Sequence, residues 1–381
     1  MHAGPGTRLL TPETGALFHV PGPGPYFMAH SAGAQPVAAA TAMEAHYLRP
    51  WREQGSGAWD AWLAAIEGFR ASLTHVIGGT AAEICPQANV SAAFGHYLGS
   101  IPRERGRDVI LMSEQSFPSL GYVAQRAEAM GFALQLLPAG SDPGDAQVWV
   151  GAIDARTAAV LVMHVHSNSG RIAPVAEIVQ AAHRAGARVV VDAAQSAGIV
   201  PVTLAEWGAD AGIGSCLKWL SGGPGAGWLW VPERDFAVLE PGAVGWFSHA
   251  DPWEMNIRDF RYADDALRFW GGTPDIAPFV AARAGVDTIL GIGIDAIRSH
   301  NAALQAAFRA ALEPQRPQWK WPQGEVGGTL CIGLGDECAA IADSLAGHGA
   351  RVDFRGAIMR VSFASWNSLS EVNALAALLS A

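Results

Sequence analysis

Between residues 108 and 231 the chain alternates short apolar runs with stretches of helical spacing, and this alternation constrains the fold more than any other feature. Asp108–Met112 is apolar and ends at Ser113; Leu120–Met130 has helical spacing and stops at Gly131. Ala158–Val165 is a further run, Pro174–Ala185 a helix that stops at Gly186, and Arg188–Val191 a run that ends at Asp192. Ala211–Ser215 and Trp228–Val231 read as short strands. Strands that alternate with helices pair through crossovers, so the expectation is an α/β fold with a mostly parallel sheet.

The flanks differ. The first 25 residues are rich in Gly and Pro, with Pro21-Gly-Pro-Gly-Pro25, and read as an arm or loop. Pro36–Tyr47 and Ala58–Val76 have helical spacing. After Pro232 the periodicity fades, and Gly245–Pro274, rich in Trp, Phe and Asp, reads as a long functional loop. Ile276–Phe308 is helical, Thr329–Leu334 and Met359–Phe363 are strands, and Asp336–His348 and Ser370–Leu379 are helices. The expected organisation is an N-terminal arm (1–35), a large domain (36–245), a loop region (246–275) and a small C-terminal α+β domain (276–381).

Composition narrows the function. Half of the 381 residues are hydrophobic and 16% charged, the reverse of a disordered chain. With 25 Lys+Arg against 35 Asp+Glu the formal charge is -10, which argues against a nucleic-acid partner. Met1–Leu10 shows no basic region followed by an apolar run, and runs such as Ala158–Met163 are too short to span a bilayer. Cys85, Cys216, Cys331 and Cys338 lie far apart, with no zinc-like cluster, and read as reduced thiols. A cytoplasmic protein without membrane or nucleic-acid partners is expected.

In open α/β sheets, ligands bind beyond the carboxyl ends of the strands. The polar residues there are Ser113–Ser119, His164–Asn168, Asp192–Gln195 and Ser215–Ser221. The last group holds Lys218, the only lysine in the first 300 residues, in the apolar frame Ser215-Cys-Leu-Lys-Trp-Leu220. Burial there favours the neutral amine that Schiff-base chemistry needs. The alternative is a lysine that snorkels to water at a strand end. Asp192 ends a buried strand, and a carboxylate there needs a cationic partner. A protonated pyridine nitrogen is such a partner, so Asp192 and Lys218 together form the minimal apparatus for pyridoxal phosphate. A structural ion pair is the competing reading.

Val191-Asp-Ala-Ala-Gln-Ser-Ala-Gly198, Trp207-Gly-Ala-Asp210 and Lys218-Trp-Leu-Ser-Gly-Gly-Pro-Gly225 resemble the core of class V, fold-type I pyridoxal-phosphate enzymes. Within that group the resemblance is to kynureninase. Tyr26-Phe-Met-Ala-His-Ser-Ala-Gly-Ala-Gln-Pro36, Ser116-Phe-Pro-Ser119, Gly245-Trp-Phe-Ser-His249 and Met359-Arg-Val361 with Asn367-Ser368 follow in the same order. The resemblance implies a seven-stranded-type sheet, a small C-terminal domain, a homodimer and an amino-acid substrate. It implies that Lys218 binds the cofactor and shuttles the α-proton, that Asp192 holds the ring nitrogen, and that Phe117 stacks on the ring. Asn89 and Val90 would sit at the phosphate, with Ser119, Ser215 and Trp246 around it. His249 would face the substrate, and Arg360 would clamp the substrate carboxylate. Asn168, or His166 near it, would contact the ring oxygen.

The departures from kynureninase bear on the reaction. Leu217 stands where a Tyr precedes the lysine, Gln195 where a His follows the aspartate, and Leu120 where an Asp follows the Phe-Pro-Ser segment. Thr273, in Gly271-Gly-Thr-Pro274, stands where an Asn reads the aromatic amine, and resembles the version in which a neighbouring subunit lends a hydroxyl to the phosphate. Three readings of activity follow: kynureninase-like Cβ–Cγ hydrolysis or β-elimination, class V transamination, and cysteine desulfuration. A non-catalytic binding protein is the fourth.

Three further motifs bear on cofactors and chemistry. His164-Val-His166 lacks a third ligand, so no metal is expected. Gly222-Gly-Pro-Gly-Ala-Gly227 lacks the Gly-Lys-Ser/Thr of a P-loop and leads into a strand, so no nucleotide is expected. Cys331 has roughly the spacing of a desulfurase nucleophile, but Gly328-Thr-Leu-Cys-Ile-Gly333 reads as a buried strand.

Overall fold

The computed structural model describes residues 9–380, so the reading of Met1–Leu10 and the start of the arm fall mostly outside the described residues. Seven strands form the main sheet: β1 (Ile84–Gln87), β2 (Val109–Met112), β3 (Ala133–Leu136), β4 (Thr157–Met163), β5 (Arg188–Asp192), β6 (Ala211–Ser215) and β7 (Gly227–Trp230). Their order is β1-β7-β6-β5-β4-β2-β3. β3, β2, β4, β5 and β6 pair in parallel, and β7 runs antiparallel to both of its neighbours.

The apolar runs become strands because both faces of the sheet are covered. Val160 and Val162 of β4 and Val189 and Val191 of β5 join one core cluster. Leu161, Met163 and Val190, one residue out of phase, join the cluster on the opposite face. Two strands of this sheet lie outside the apolar runs of the sequence, and both are edges. β3 is half exposed, and β1 carries Pro86, which an edge strand tolerates because one of its sides needs no ladder donor.

The expected single helix over Ile276–Phe308 is two helices, Ala277–Ile292 and Ile294–Leu312, bent by 75° about Gly293. Gly293 has φ +94, a conformation that favours glycine. The first helix packs in the large core through Phe279, Val280, Val286 and Ile289. The second sends Leu304, Phe308 and Leu312 into a separate, smaller core. Ile297, near the start of the second helix, still packs in the large core, so the change from one core to the other falls within that helix. β8 (Thr329–Gly333), β9 (Asp353–Arg355) and β10 (Ile358–Ser362) form a three-stranded antiparallel sheet in the order β8-β10-β9. The helices Cys338–Gly347 and Leu369–Ser380 belong to the same domain. Phe27, from the N-terminal segment, lies in this smaller core and ties that segment to it. Among the described residues no single helix is long and apolar enough to cross a membrane.

Candidate active site

The parallel strands deliver the chemistry at their carboxyl ends. β5 ends on Asp192, which is 2% exposed. Burial pushes its carboxyl above the usual range, while the Ala194 N–H, donated to Oδ1 at 2.8 Å, and the Lys218 ammonium pull it down. Among the described residues no hydrogen bond reaches its second oxygen.

β6 leads into the turn that carries Lys218. Ser215 Oγ accepts the Leu217 N–H at 3.3 Å, and Lys218 O accepts the Ser221 N–H at 3.0 Å. The N-terminal segment closes over this turn, with the Gly33 N–H donating to Leu217 O at 2.8 Å. Lys218 is walled by protein yet open to the cleft. Burial lowers its pKa, the Asp192 carboxylate opposes that, and Arg360 and Arg355 add to it. Its Nζ lies 5.7 Å from the Phe117 ring centroid.

Phe117 immediately precedes the helix Pro118–Arg126, with Ser119 half-buried in its first turn. The Ser116 hydroxyl is buried without a partner. Leu120 is fully buried in the core, so this position takes no part in the cleft. Asn89 caps the helix Val90–Leu98, its side chain accepting the Ala92 N–H at 2.9 Å. The N–H groups of that first turn point outward, the usual anion-binding arrangement of a helix start. A Cβ at Gly227 of β7 would lie 2.7 Å from Asn89 Cα, so glycine is what lets this loop sit against the sheet.

The small domain supplies the arginines. Arg360 on β10 is 5% exposed. Its Nη1 donates to Ser167 O at 3.1 Å, its Nη2 pairs with Asp353, and its Nε is buried without a partner. Asp353 and Arg360 are direct cross-strand neighbours on β9 and β10. His30 stands behind them, Nδ1 at 3.0 Å from Ser362 Oγ and Nε2 at 3.4 Å from Asp353 Oδ2. Burial, then Arg360, Lys218 and Arg355, hold its pKa well below the ordinary histidine value. Arg355 of β9 donates Nη1 to Ser167 Oγ at 3.1 Å and also to Asn168 Oδ1. Its Cζ lies 6.0 Å from the Phe117 ring centroid.

Lys218, Asp192, Phe117, Asn168 and Arg360 thus surround one cleft. Gln195 is buried but committed elsewhere, its amide bridging His30 O at 3.1 Å and Trp219 Nε1 at 3.4 Å. Trp246 makes edge contacts with Trp59, Phe247 and Trp253. His249 is held within its own loop, Nε2 at 2.8 Å from Asp259 O, and Thr273 is exposed. Among the described residues no hydrogen bond, ion pair or aromatic contact joins these last three to Lys218, Asp192 or Phe117. His166 is fully buried with both ring nitrogens unpartnered, and burial pushes it and His164 each down to about 4. Cys331 on β8 is buried and directs its Sγ at Ser167 O, 3.7 Å away. Burial pushes its thiol up to about 12.

His30, Asp353 and Arg355 do not stand out in the sequence, whereas Ser167 lies within the polar group His164–Asn168. One signal existed: Asp353 and Arg355 precede Arg360 on a hairpin whose register sets opposite charges across from each other. The donor set fits pyridoxal phosphate. An amine whose pKa burial lowers, a buried carboxylate with an unused oxygen, an aromatic face beside the amine and a helix start nearby match its carbonyl carbon, ring nitrogen, ring and phosphate.

The family model for aminotransferase class-V matches residues 28–323. The chain is 33% identical to kynureninase from Deinococcus radiodurans over 313 residues, covering 80% of this chain and 75% of that one. Among solved structures it is similar to the apo cysteine desulfurase from Thermococcus onnurineus NA1, with a TM-score of 0.81, 24% identity and 93% of each chain covered. It is also similar to a lysine-to-alanine mutant of C-DES with glycine covalently linked to the pyridoxal-phosphate cofactor (TM-score 0.82, 21% identity, 93% of this chain and 96% of that one).

Proposed function

Because this chain belongs to the class-V aminotransferase family, and is a pyridoxal-phosphate-dependent enzyme acting on an amino acid, we propose that it cleaves its substrate at Cβ in the kynureninase manner. The observation that carries this is the convergence of Lys218, Asp192 and Arg360 on one cleft in a chain with kynureninase relatives. The bound cofactor supplies an electron sink for the bond broken in the amino acid.

The residues divide the remaining work. Lys218, its pKa lowered by burial, is the attachment residue and moves the proton at Cα. The unused oxygen of Asp192 holds the proton on the ring nitrogen, and Phe117 covers one ring face. The first turn of Val90–Leu98, with Asn89, Ser119 and Ser215, receives the phosphate. Arg360 takes the α-carboxylate with the guanidinium donors left free, while Ser167 O and Asp353 fix the guanidinium plane. In hydrolysis the Cβ–Cγ bond breaks, water adds its oxygen to the acyl carbon, and Cβ gains a proton, giving alanine and an acid.

In this reading Trp246, His249 and Thr273 serve the cleft of a second copy in a homodimer. Their loop supports this: it surrounds a cavity of about 310 Å3 and leaves Ile257 99% exposed. The desulfurase reading is disfavoured by Cys331, whose buried thiol is far from ionised at neutral pH.

The test is an absorbance titration of the purified enzyme with kynurenine, cysteine and dicarboxylic amino acids, beside Lys218→Ala, with product analysis. A visible band lost in the variant, and alanine formed with the side-chain fragment, is the expected result. Amino transfer that requires a keto acid and yields no alanine would replace this reading with transamination.

A further inference from the structure

The cleft holds two arginines, and they differ in how their charge is met. Arg360 is paired with Asp353, and one substrate carboxylate is enough to use its remaining donors. Arg355 touches two neutral oxygens, Ser167 Oγ and Asn168 Oδ1, and among the described residues no carboxylate lies within ion-pair distance of it. It is half-buried. Its guanidinium and the Lys218 amine lie 6.0 and 5.7 Å from the centroid of the same Phe117 ring, so Arg355 belongs to the reaction centre and not to the outer surface. Both arginines are anchored to one residue, Ser167, through its hydroxyl and its carbonyl. The two guanidinium groups are thereby held on the same stretch of the cleft wall. An unbalanced guanidinium in a partly desolvated cleft is costly without an anionic partner and strongly selective for one.

We propose that Arg355 is a specificity residue that binds a second acid group, so that the substrate is an amino acid whose side chain carries an acid group beyond its γ-acyl carbon, with its α-carboxylate at Arg360 and its side-chain acid at Arg355. This rests on the amino-acid reading of the cleft given above, and it narrows the side chain. The remaining donors of Arg355 can meet a carboxylate in a two-point contact, which a lysine could not reproduce. Ser167 and Asn168 act as positioning residues for it.

The probe is calorimetric titration of the cofactor-loaded enzyme with succinate and with succinamate, which differ in one charged end. Succinate is expected to bind at least about tenfold more tightly, the discrimination of a charge-assisted pair over a neutral one. Arg355→Gln brings the two affinities within about twofold of each other, and Arg355→Lys restores part of the gap. Equal binding of succinate and succinamate by the unaltered enzyme overturns the proposal, as does a gap that survives in Arg355→Gln. Failure of the underlying reading is separate, because it appears before any ligand is added, as a visible band that does not depend on Lys218.

Discussion

Gly33 and Lys218 are pressed together so closely that a Cβ on Gly33 would lie 2.2 Å from Lys218 O. The N-terminal segment therefore acts as a clamp on the turn that aims the reactive amine. Gly33→Ala must push the lysine turn aside. The expected outcome is a loss of about 1–3 kcal/mol in denaturant stability, the range for overpacking a tight site. Cofactor retention should fall with it, and equilibrium dialysis checks this. Normal retention with a stability loss would mean that the clamp supports the fold and not the site.

Asp192→Asn separates the two states of the protein. Burial raises the Asp192 pKa in the folded chain, so without cofactor its ionised form opposes folding. Folded protein then binds more protons than unfolded protein, and stability falls as pH rises from the ordinary value of 3.8 through the raised one. The asparagine variant should flatten that slope and leave the cofactor-free protein at least as stable. With cofactor the sign reverses. Loss of the charged partner for the ring nitrogen should weaken retention by about 10–100-fold.

The buried histidines give the opposite pH dependence. His164 and His166 fall from 6.5 to about 4 on folding, so the unfolded chain binds more protons between those values. Their contribution is fully present above pH 6.5 and is lost as the pH falls towards 4, by at most about 3 kcal/mol each. His166→Asn should lower proton uptake on unfolding at pH 5 by about one. Urea midpoints across this interval check it.

Cys331→Ala tests the thiol. Its weak hydrogen bond to Ser167 O and its burial predict a loss of about 1 kcal/mol in stability. Turnover on the productive substrate should stay within an order of magnitude of the parent enzyme. A loss of several orders of magnitude with normal cofactor retention would restore the desulfurase reading.

Much of this was legible locally. Val189–Val191 followed by Asp192 announces a buried strand with a costly carboxylate at its tip, and an isolated lysine in Ser215–Leu220 stands out by its rarity. What stayed hidden depends on distant partners. His30 meets Ser362 and Asp353 across more than 300 residues, and no local period encodes that contact. Leu120 shows the limit from the other side. It stands at a position where kynureninases carry Asp, but it packs into the core, which a motif comparison alone does not reveal. The edge strand Ala133–Leu136 was missed for a simpler reason, because half-exposed residues give a weak burial pattern.

The elbow at Gly293 sets a lever. The helix Ile294–Leu312 has 19 residues and at 1.5 Å per residue is about 28 Å long. A pivot of only ~5° at Gly293 would sweep its far end by about 2.5 Å, comparable to the length of a hydrogen bond. The small-domain strands that carry Arg355 and Arg360 share a core with that far end, through Met359 and Val361 against Phe308 and Leu312. A displacement of that end would carry the two guanidinium groups with it.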